Sequence, residues 1–222
     1  MFQRIALVFA SSLSGMLVAA LLIGTSARAL AAQKEAAAKS LFDGTSLAGW
    51  KKTAFGGEGD VAVTDGRIVM QTGNPMTGIT WTGKYPKMDY EISLQAMRVE
   101  GSDFFCGLTF PVGDSPCSFI VGGWGGGVVG LSSLNGSDAS ENETTKYQEF
   151  ESGRWYTMRV RVTKDKIEAW IDKRQMVDVD TEGVQISIRP EVELSRPLGI
   201  ACYATTAALR DIRLRPLGDA KK

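Results

Sequence analysis

The chain has 222 residues, with 25 basic and 25 acidic side chains, 25 glycines and no histidine. Its hydrophobic content of 44% is typical of a folded protein rather than a disordered one. The balanced charge argues against a nucleic-acid partner, because such proteins present a basic face. The absence of histidine excludes Ser-His-Asp and Cys-His nucleophile systems and HExxH zinc sites, since no imidazole is present to move the proton or bind the metal.

Residues 1–29 are predicted to form a secretion signal with a helical apolar core. Arg4 supplies a positive start, an apolar stretch follows over residues 5–23, and Ala27-Arg28-Ala29 fits the small-x-small cleavage pattern. Cleavage there predicts a secreted or periplasmic protein with no membrane attachment. The alternative is an uncleaved anchor, because the stretch approaches the ~20 residues that span a bilayer.

The remaining chain is divided into a leader rich in Ala, Lys and Glu (residues 30–39), one domain (40–217) and a tail (218–222). Apolar and polar residues alternate over residues 90–96 and 156–162, which predicts strands with one buried face. Turn-forming residues separate many such short segments, and none has a helical period. This pattern predicts a single all-β domain, either a sandwich or a barrel.

Several segments of the domain match a known family in the same order. Residues 41–50 read LFDGTSLAGW, and MDYEI (88–92), IEAWID (167–172) and LRDIRL (209–214) follow. The first segment resembles the opening LF(N/D)GxxLxGW of the bacterial, secreted 3-keto-disaccharide hydrolase domain family. The resemblance implies a concanavalin-like jelly-roll β-sandwich after the signal helix. It also implies a carbohydrate ligand and an activity that hydrolyses 3-keto-glycosides through a lyase step.

Three segments depart from that family. Its members tend to carry L-Q-D-H-G before the closing strand, whereas residues 201–207 read ACYATTA. Gln95 stands where a second Glu is frequent, and residues 106–110 (CGLTF) lack the family's Arg. The missing His motif favours an alternative to the enzyme, a non-catalytic carbohydrate-binding β-sandwich module. A third interpretation is a cell-surface interaction domain without a sugar site.

The family chemistry needs a base for the C2 proton, a stabiliser for the enediolate and an acid for the leaving group. The predicted catalytic carboxylates are Glu91, Asp103 and Glu149. The predicted substrate-binding residues are Gln95, Arg98, Trp124 and Lys146. Arg98 or Lys146 would steady the oxyanion. Trp124, set in the glycine-rich string GGWGGG, would stack on a sugar. A shared site requires these side chains to converge on one cleft. The alternative is ordinary solvent-facing charges and a Trp124 packed in the core.

Cysteines and acidic residues leave two further questions open. Cys106 and Cys117 flank one predicted hairpin, so they either form a disulfide that leaves Cys202 free or all three remain buried thiols. An acidic loop (residues 138–143) offers oxygen ligands that suit Ca²⁺, but its spacing matches no EF-hand and favours a mobile, solvated loop. No cofactor is predicted, and a divalent cation bound through oxygen ligands stays open. The sequence does not fix the oligomeric state.

Overall fold

The computed structural model describes residues 37–218, which form two stacked antiparallel sheets. The predicted signal, most of the leader and residues 219–222 lie outside the described residues. The strands are β1 (Lys39–Ser40), β2 (Trp50–Lys52), β3 (Val61–Thr64), β4 (Arg67–Met70), β5 (Met76–Trp81), β6 (Tyr90–Gly101), β7 (Cys106–Val112), β8 (Ser115–Gly123), β9 (Val128–Ser132), β10 (Lys146–Tyr147), β11 (Tyr156–Val162), β12 (Lys166–Ile171), β13 (Arg174–Asp180), β14 (Gly199–Tyr203) and β15 (Thr205–Pro216).

The chain passes repeatedly from one sheet to the other. Sheet 1 has the order β13-β12-β11-β6-β15-β4-β3, with β1 paired to β15. Sheet 2 has the order β10-β9-β8-β7-β14-β5-β2. The predicted all-β, concanavalin-like jelly-roll sandwich is therefore confirmed. Lys39, assigned to the leader, is the first residue of β1 and lies opposite Leu214. Within residues 37–218, no helix has the length and apolar character needed to cross a bilayer.

The core lies between the sheets, and strand alternation decides which side chains enter it. On β6, Tyr90, Ile92 and Leu94 are buried, while the intervening Glu91 and Ser93 are only partly buried on the outer face of sheet 1. Side chains from both sheets form one continuous apolar cluster. Burial of this cluster supplies the main driving force for stacking the two sheets.

Two segments cover parts of the outer face of sheet 2. A 3-10 helix (Pro190–Ser195) crosses β5 and β14. Thr80 Oγ1 donates a hydrogen bond of 3.1 Å to Leu194 O. Val192 packs against Met76 and Ala201 in a small apolar cluster on this face. The helix is thus fixed to the sheet by a hydrogen bond and by apolar burial together.

The acidic loop covers the flank of sheet 2 near β9, and Asn142 anchors it. Asn142 Nδ2 donates to the carbonyls of Leu131 (2.7 Å), Ser137 (3.1 Å) and Asp138 (2.7 Å). Its Oδ1 accepts bonds from the backbone N–H (2.9 Å) and the hydroxyl (2.6 Å) of Thr144. The acidic pattern favours a mobile loop that is solvated along its length. The structure shows instead a loop that is hydrogen-bonded to the sheet.

All three cysteines are free, buried thiols. Cys106 lies opposite Val121 on the β7–β8 hairpin, and Cys117 lies opposite Phe110. The two hairpin cysteines are thus four residues out of register, which is too far for the disulfide considered from the sequence. The structure has the alternative arrangement, in which each thiol packs as a small apolar side chain.

Candidate functional site

A cavity of about 210 Å³ opens on the outer face of sheet 2, beside the 3-10 helix. It is lined by residues of three strands, of the loop after β6, of the turn after β8 and of the 3-10 helix segment. These residues are Asp103, Phe104, Ser118, Ile120, Trp124, Ser132, Arg189, Glu191, Val192 and Tyr203.

The floor of the cavity follows from the alternation of β8 and β9. Because Cys117, Phe119 and Val121 point into the core, Ser118 and Ile120 point outward. Ser118 lies opposite Ser132 on β9, so two hydroxyls are side by side. The Ser118 hydroxyl also shares a hydrogen bond of 2.8 Å with Thr109 Oγ1 on β7. The floor therefore offers hydroxyl groups next to the apolar Ile120.

Aromatic rings form the walls. The Phe104 and Tyr203 rings lie 5.7 Å apart between centroids, and Tyr203 N donates to Phe104 O at 3.0 Å. Trp124 is 42% exposed, and the Arg189 guanidinium lies 5.9 Å from its ring centroid. Exposed aromatic rings beside polar groups suit the apolar face and the hydroxyl edge of a sugar.

Asp103 joins two of these walls. Its Oδ1 accepts the N–H of Phe104 at 2.7 Å, and its Oδ2 accepts the N–H of Gly125 at 3.0 Å. The carboxylate is half-buried and lines the cavity. The two N–H donors fix its orientation, and each oxygen retains a lone pair for a ligand.

Arg189 links the cavity to the acidic loop. Its Nε donates to Glu191 Oε1 at 2.5 Å, and its Nη1 donates to Asp138 Oδ2. The hydrogen bond to Glu191, followed by the charge of Glu191 and the contact with Asp138, raises the pKa of Arg189 above its usual value even though partial burial opposes this. The guanidinium therefore stays charged and ties the 3-10 helix segment to the loop.

A sequence profile describing a 3-keto-alpha-glucoside-1,2-lyase-like domain matches residues 37–215. The chain belongs to this lyase-like domain family. The family resemblance drawn from LFDGTSLAGW and the segments after it is thus confirmed. Membership indicates a carbohydrate-active domain of the glycosyl hydrolase-like or carbohydrate-binding type. No curated protein sequence matches the chain.

Solved structures with the same architecture include the carbohydrate-binding module CBM66 from Bacillus subtilis, with a TM-score of 0.54 and 13% identity over 80% of this chain and 99% of that one. The Crh5 transglycosylase in complex with NAG gives a TM-score of 0.56 and 13% identity, covering 82% of this chain and 85% of that one. Domain 4 of the arabinanase AbnA from Geobacillus stearothermophilus, in complex with arabinotriose, gives 0.54 and 14%, covering 82% and 94%. At these identities the likeness shows the fold.

Of the seven site residues predicted for this lyase-like domain, the structure brings Asp103 and Trp124 together in the cavity. Glu91 and Gln95 lie on the outer face of sheet 1, on the opposite side of the sandwich. Glu91 accepts hydrogen bonds from Arg159 (3.1 Å) and Arg215 (2.9 Å) there. The seven side chains therefore do not converge on one cleft, and a shared site with Glu91 is not formed.

The other three predicted residues do not line the cavity. Arg98 is buried behind it, with 6% of its surface exposed. Lys146 is on the edge strand β10, where its Nζ donates to Gln175 O at 3.4 Å. Glu149 is exposed between β10 and β11, directly after Gln148, whose N–H donates to Gly127 O. Their roles in binding or catalysis stay predictions.

Arg189, Glu191 and Tyr203 line the cavity but are not among the site residues predicted from the sequence. Strand alternation could have indicated that Tyr203 faces outward, because its neighbour Cys202 packs in the core and adjacent strand residues point to opposite faces. Arg189 and Glu191 flank a proline in a segment without strand or helix periodicity, so no local pattern pointed to them. Within residues 37–218, no three Cys, Asp or Glu side chains gather closely enough to hold a metal ion.

Proposed function

We propose that the cavity on sheet 2 binds a sugar residue. The observation that carries this proposal is the meeting of Trp124 and Tyr203 with Asp103, Arg189 and Glu191 around one opening. Aromatic rings take the apolar face of a pyranose, while carboxylate, guanidinium and hydroxyl groups pair with its hydroxyls. This combination supports carbohydrate binding independently of the family label.

The size and charge of the cavity limit the class of ligand that it can bind. Its volume of about 210 Å³ is below the roughly 300–1,000 Å³ of sites for drug-sized ligands. The 3-10 helix segment lines it, and Arg189 of that segment donates a hydrogen bond to Asp138 of the acidic loop. Two carboxylates, Asp103 and Glu191, line it beside one guanidinium. The ligand we propose is therefore a single neutral sugar residue, such as one end of a disaccharide.

Family membership favours a second candidate, the cleavage of a 3-keto-glycoside at this site. The C3 ketone acidifies the C2 proton, and Asp103 is the base that we assign to remove it. The electron pair then forms the C1–C2 double bond as the C1–O bond breaks, and the departing oxygen takes a proton from Tyr203. Water then adds across the double bond, with its hydroxyl going to C1 and its proton to Tyr203, while Asp103 returns its proton to C2, which gives net hydrolysis. Arg189 would stabilise the enediolate, a role that the sequence had suggested for Arg98 or Lys146.

Incubation of the purified chain with 3-keto-trehalose and 3-keto-sucrose, with sugar release followed by chromatography, separates the two candidates. Turnover that is lost in Asp103→Asn supports the lyase assignment. Calorimetric binding of trehalose or sucrose without turnover of the keto sugars supports a binding module. Neither binding nor turnover with any of the four sugars would contradict the proposed function.

Stacking by Trp124 predicts that Trp124→Ala lowers the affinity for the bound sugar about tenfold, or about 1.4 kcal/mol. Trp155→Ala is the matched control, because Trp155 stacks under Arg210 at 4.1 Å on the other side of the sandwich. Calorimetric titration measures both. An unchanged affinity in Trp124→Ala would exclude the stacking role.

A further inference from the structure

Arg98 directs its Nη1 and Nη2 groups at backbone carbonyl oxygens behind the cavity. Its Nη2 approaches the carbonyl oxygens of Asp103 (3.2 Å), Gly122 (3.4 Å) and Gly126 (3.0 Å), and its Nη1 approaches that of Phe150 (3.4 Å). The guanidinium also lies 5.2 Å from the Phe105 ring centroid. One buried group is therefore shared by the loop after β6, the turn after β8 and the segment before β11.

The glycine-rich turn is shaped around this guanidinium. A Cβ at Gly122 would lie 2.7 Å from Arg98 Nη2, and one at Gly126 would lie 3.4 Å from it and 3.0 Å from Ser102 O. Both glycines also have positive φ, of 78° and 110°. Side chains at these positions would push the turn away from Arg98, which gives these two glycines of the GGWGGG string a physical reason.

Trp124 sits at the centre of that turn with a φ of 48°, a conformation that residues other than glycine rarely adopt. The bonds from Arg98 Nη2 hold the chain before and after it, at Gly122 and Gly126. The Asp103 carboxylate holds Gly125, and Arg98 in turn holds the Asp103 carbonyl. The two predicted cavity residues are thus fixed to each other through one cation.

We propose that Arg98 is a positioning residue, whose guanidinium sets the placement of Trp124 and Asp103 without touching the ligand. The positioning role deepens the proposed function. It rests on that function only for the test that measures sugar binding. Lysine cannot substitute, because an ammonium is a compact charge without the planar fork that reaches several carbonyls in one plane. The role differs from the substrate contact expected of Arg98 from the sequence.

The first test needs no ligand. Acrylamide quenching of Trp124 is obtained as the difference between a protein and its Trp124→Phe counterpart, for the wild type and for Arg98→Lys. We expect the quenching constant of Trp124 to rise about twofold in Arg98→Lys, because the turn loses its anchor. Arg161→Lys is the matched control, since its Nε is likewise buried without a hydrogen-bond partner but lies on sheet 1. It should leave Trp124 unchanged.

Gly126→Ala keeps the proposal testable if Arg98→Lys does not fold, because it leaves the cation in place and displaces only the turn. It should raise Trp124 quenching in the same direction. A folded Arg98→Lys or Gly126→Ala protein with wild-type Trp124 quenching would overturn the proposal, even if its melting temperature falls. A purely structural role of Arg98 would lower the melting temperature and leave Trp124 quenching unchanged.

Calorimetry with trehalose provides the ligand readout. Arg98→Lys should bind at least tenfold more weakly than Arg161→Lys at matched stability. Equal affinity in the two variants would overturn the positioning role. If the wild-type chain binds no trehalose, sucrose or keto sugar, the proposed function fails, whereas the quenching result still decides whether Arg98 positions Trp124.

Discussion

Cys106, Cys117 and Cys202 are enclosed in the sandwich, and their chemistry follows from that burial. Loss of hydration disfavours the thiolate and raises the pKa of each thiol from 9.0 to about 12. In the unfolded chain these thiols ionise near their ordinary value. Because their pKa is raised in the folded protein, the three thiols are unreactive there at neutral pH, unlike the low-pKa cysteines of reactive sites.

This difference predicts how stability depends on pH. Between about pH 9 and pH 12 the unfolded chain has lost the thiol protons that the folded chain retains, so the free energy of unfolding falls as pH rises. The loss is about 1.4 kcal/mol per pH unit for each thiol, and it is absent below pH 9. Urea unfolding between about pH 8 and pH 10.5 measures it.

Cys106→Ala serves as the comparison, because it removes one titrating thiol while keeping Tyr90, whose pKa burial also raises. The slope of unfolding free energy against pH should become shallower by about 1.4 kcal/mol per unit. Identical slopes in both proteins above pH 9 would show that the folded Cys106 thiol ionises as readily as the unfolded one.

Among the connecting elements, the acidic loop is anchored to β9 chiefly through Asn142. Asn142 makes three donor contacts and accepts two bonds, which tie residues 137–144 to β9. Asn142→Ala should lower the free energy of unfolding by about 2 kcal/mol, because carbonyl and N–H groups lose their partners. Urea unfolding measures this. Glu141→Ala, at an exposed neighbouring position, should stay within about 0.5 kcal/mol. Equal effects would contradict the anchoring role.

The strands were predictable because alternation is a local property. The pattern over residues 90–96 and 156–162 corresponds to β6 and β11, which pair in sheet 1. The same pattern could not place Glu91 correctly. Alternation distinguishes inside from outside, but a sandwich has two outer faces, and only the strand order shows that Glu91 faces away from the cavity. The composition of residues 30–39 predicts a leader, and a strand of two residues has no readable period, so the sequence does not show that Lys39 begins β1.

The cavity itself was only partly predictable. The glycines around Trp124 are a local signal, and they pointed to a residue that does line the site. Tyr203 and Arg189 reach the same cavity from elements far along the chain, through the order β9-β8-β7-β14 and the crossing of the 3-10 helix. No single segment encodes that meeting, because it is produced by the packing of the whole domain.

For the whole molecule, the two outer faces have different characters. The outer face of sheet 1 is closed by paired charges, with the Arg159 guanidinium 3.8 Å from the Trp170 ring centroid and bonded to Glu91. The outer face of sheet 2 is flanked by two segments and leaves an opening with Trp124 exposed at its edge. Carbohydrate binding should therefore be confined to sheet 2.

The most direct test labels the five tryptophans with ¹⁵N and follows their indole N–H signals by NMR during titration with trehalose or 3-keto-trehalose. Trp124→Phe assigns the Trp124 signal, and Trp155 and Trp170 report on sheet 1. A sugar site on sheet 2 predicts that the Trp124 signal moves most, in a saturable way, while those of Trp155 and Trp170 stay in place. Movement confined to Trp155 or Trp170, or no movement of any indole signal, would contradict a sugar site on sheet 2.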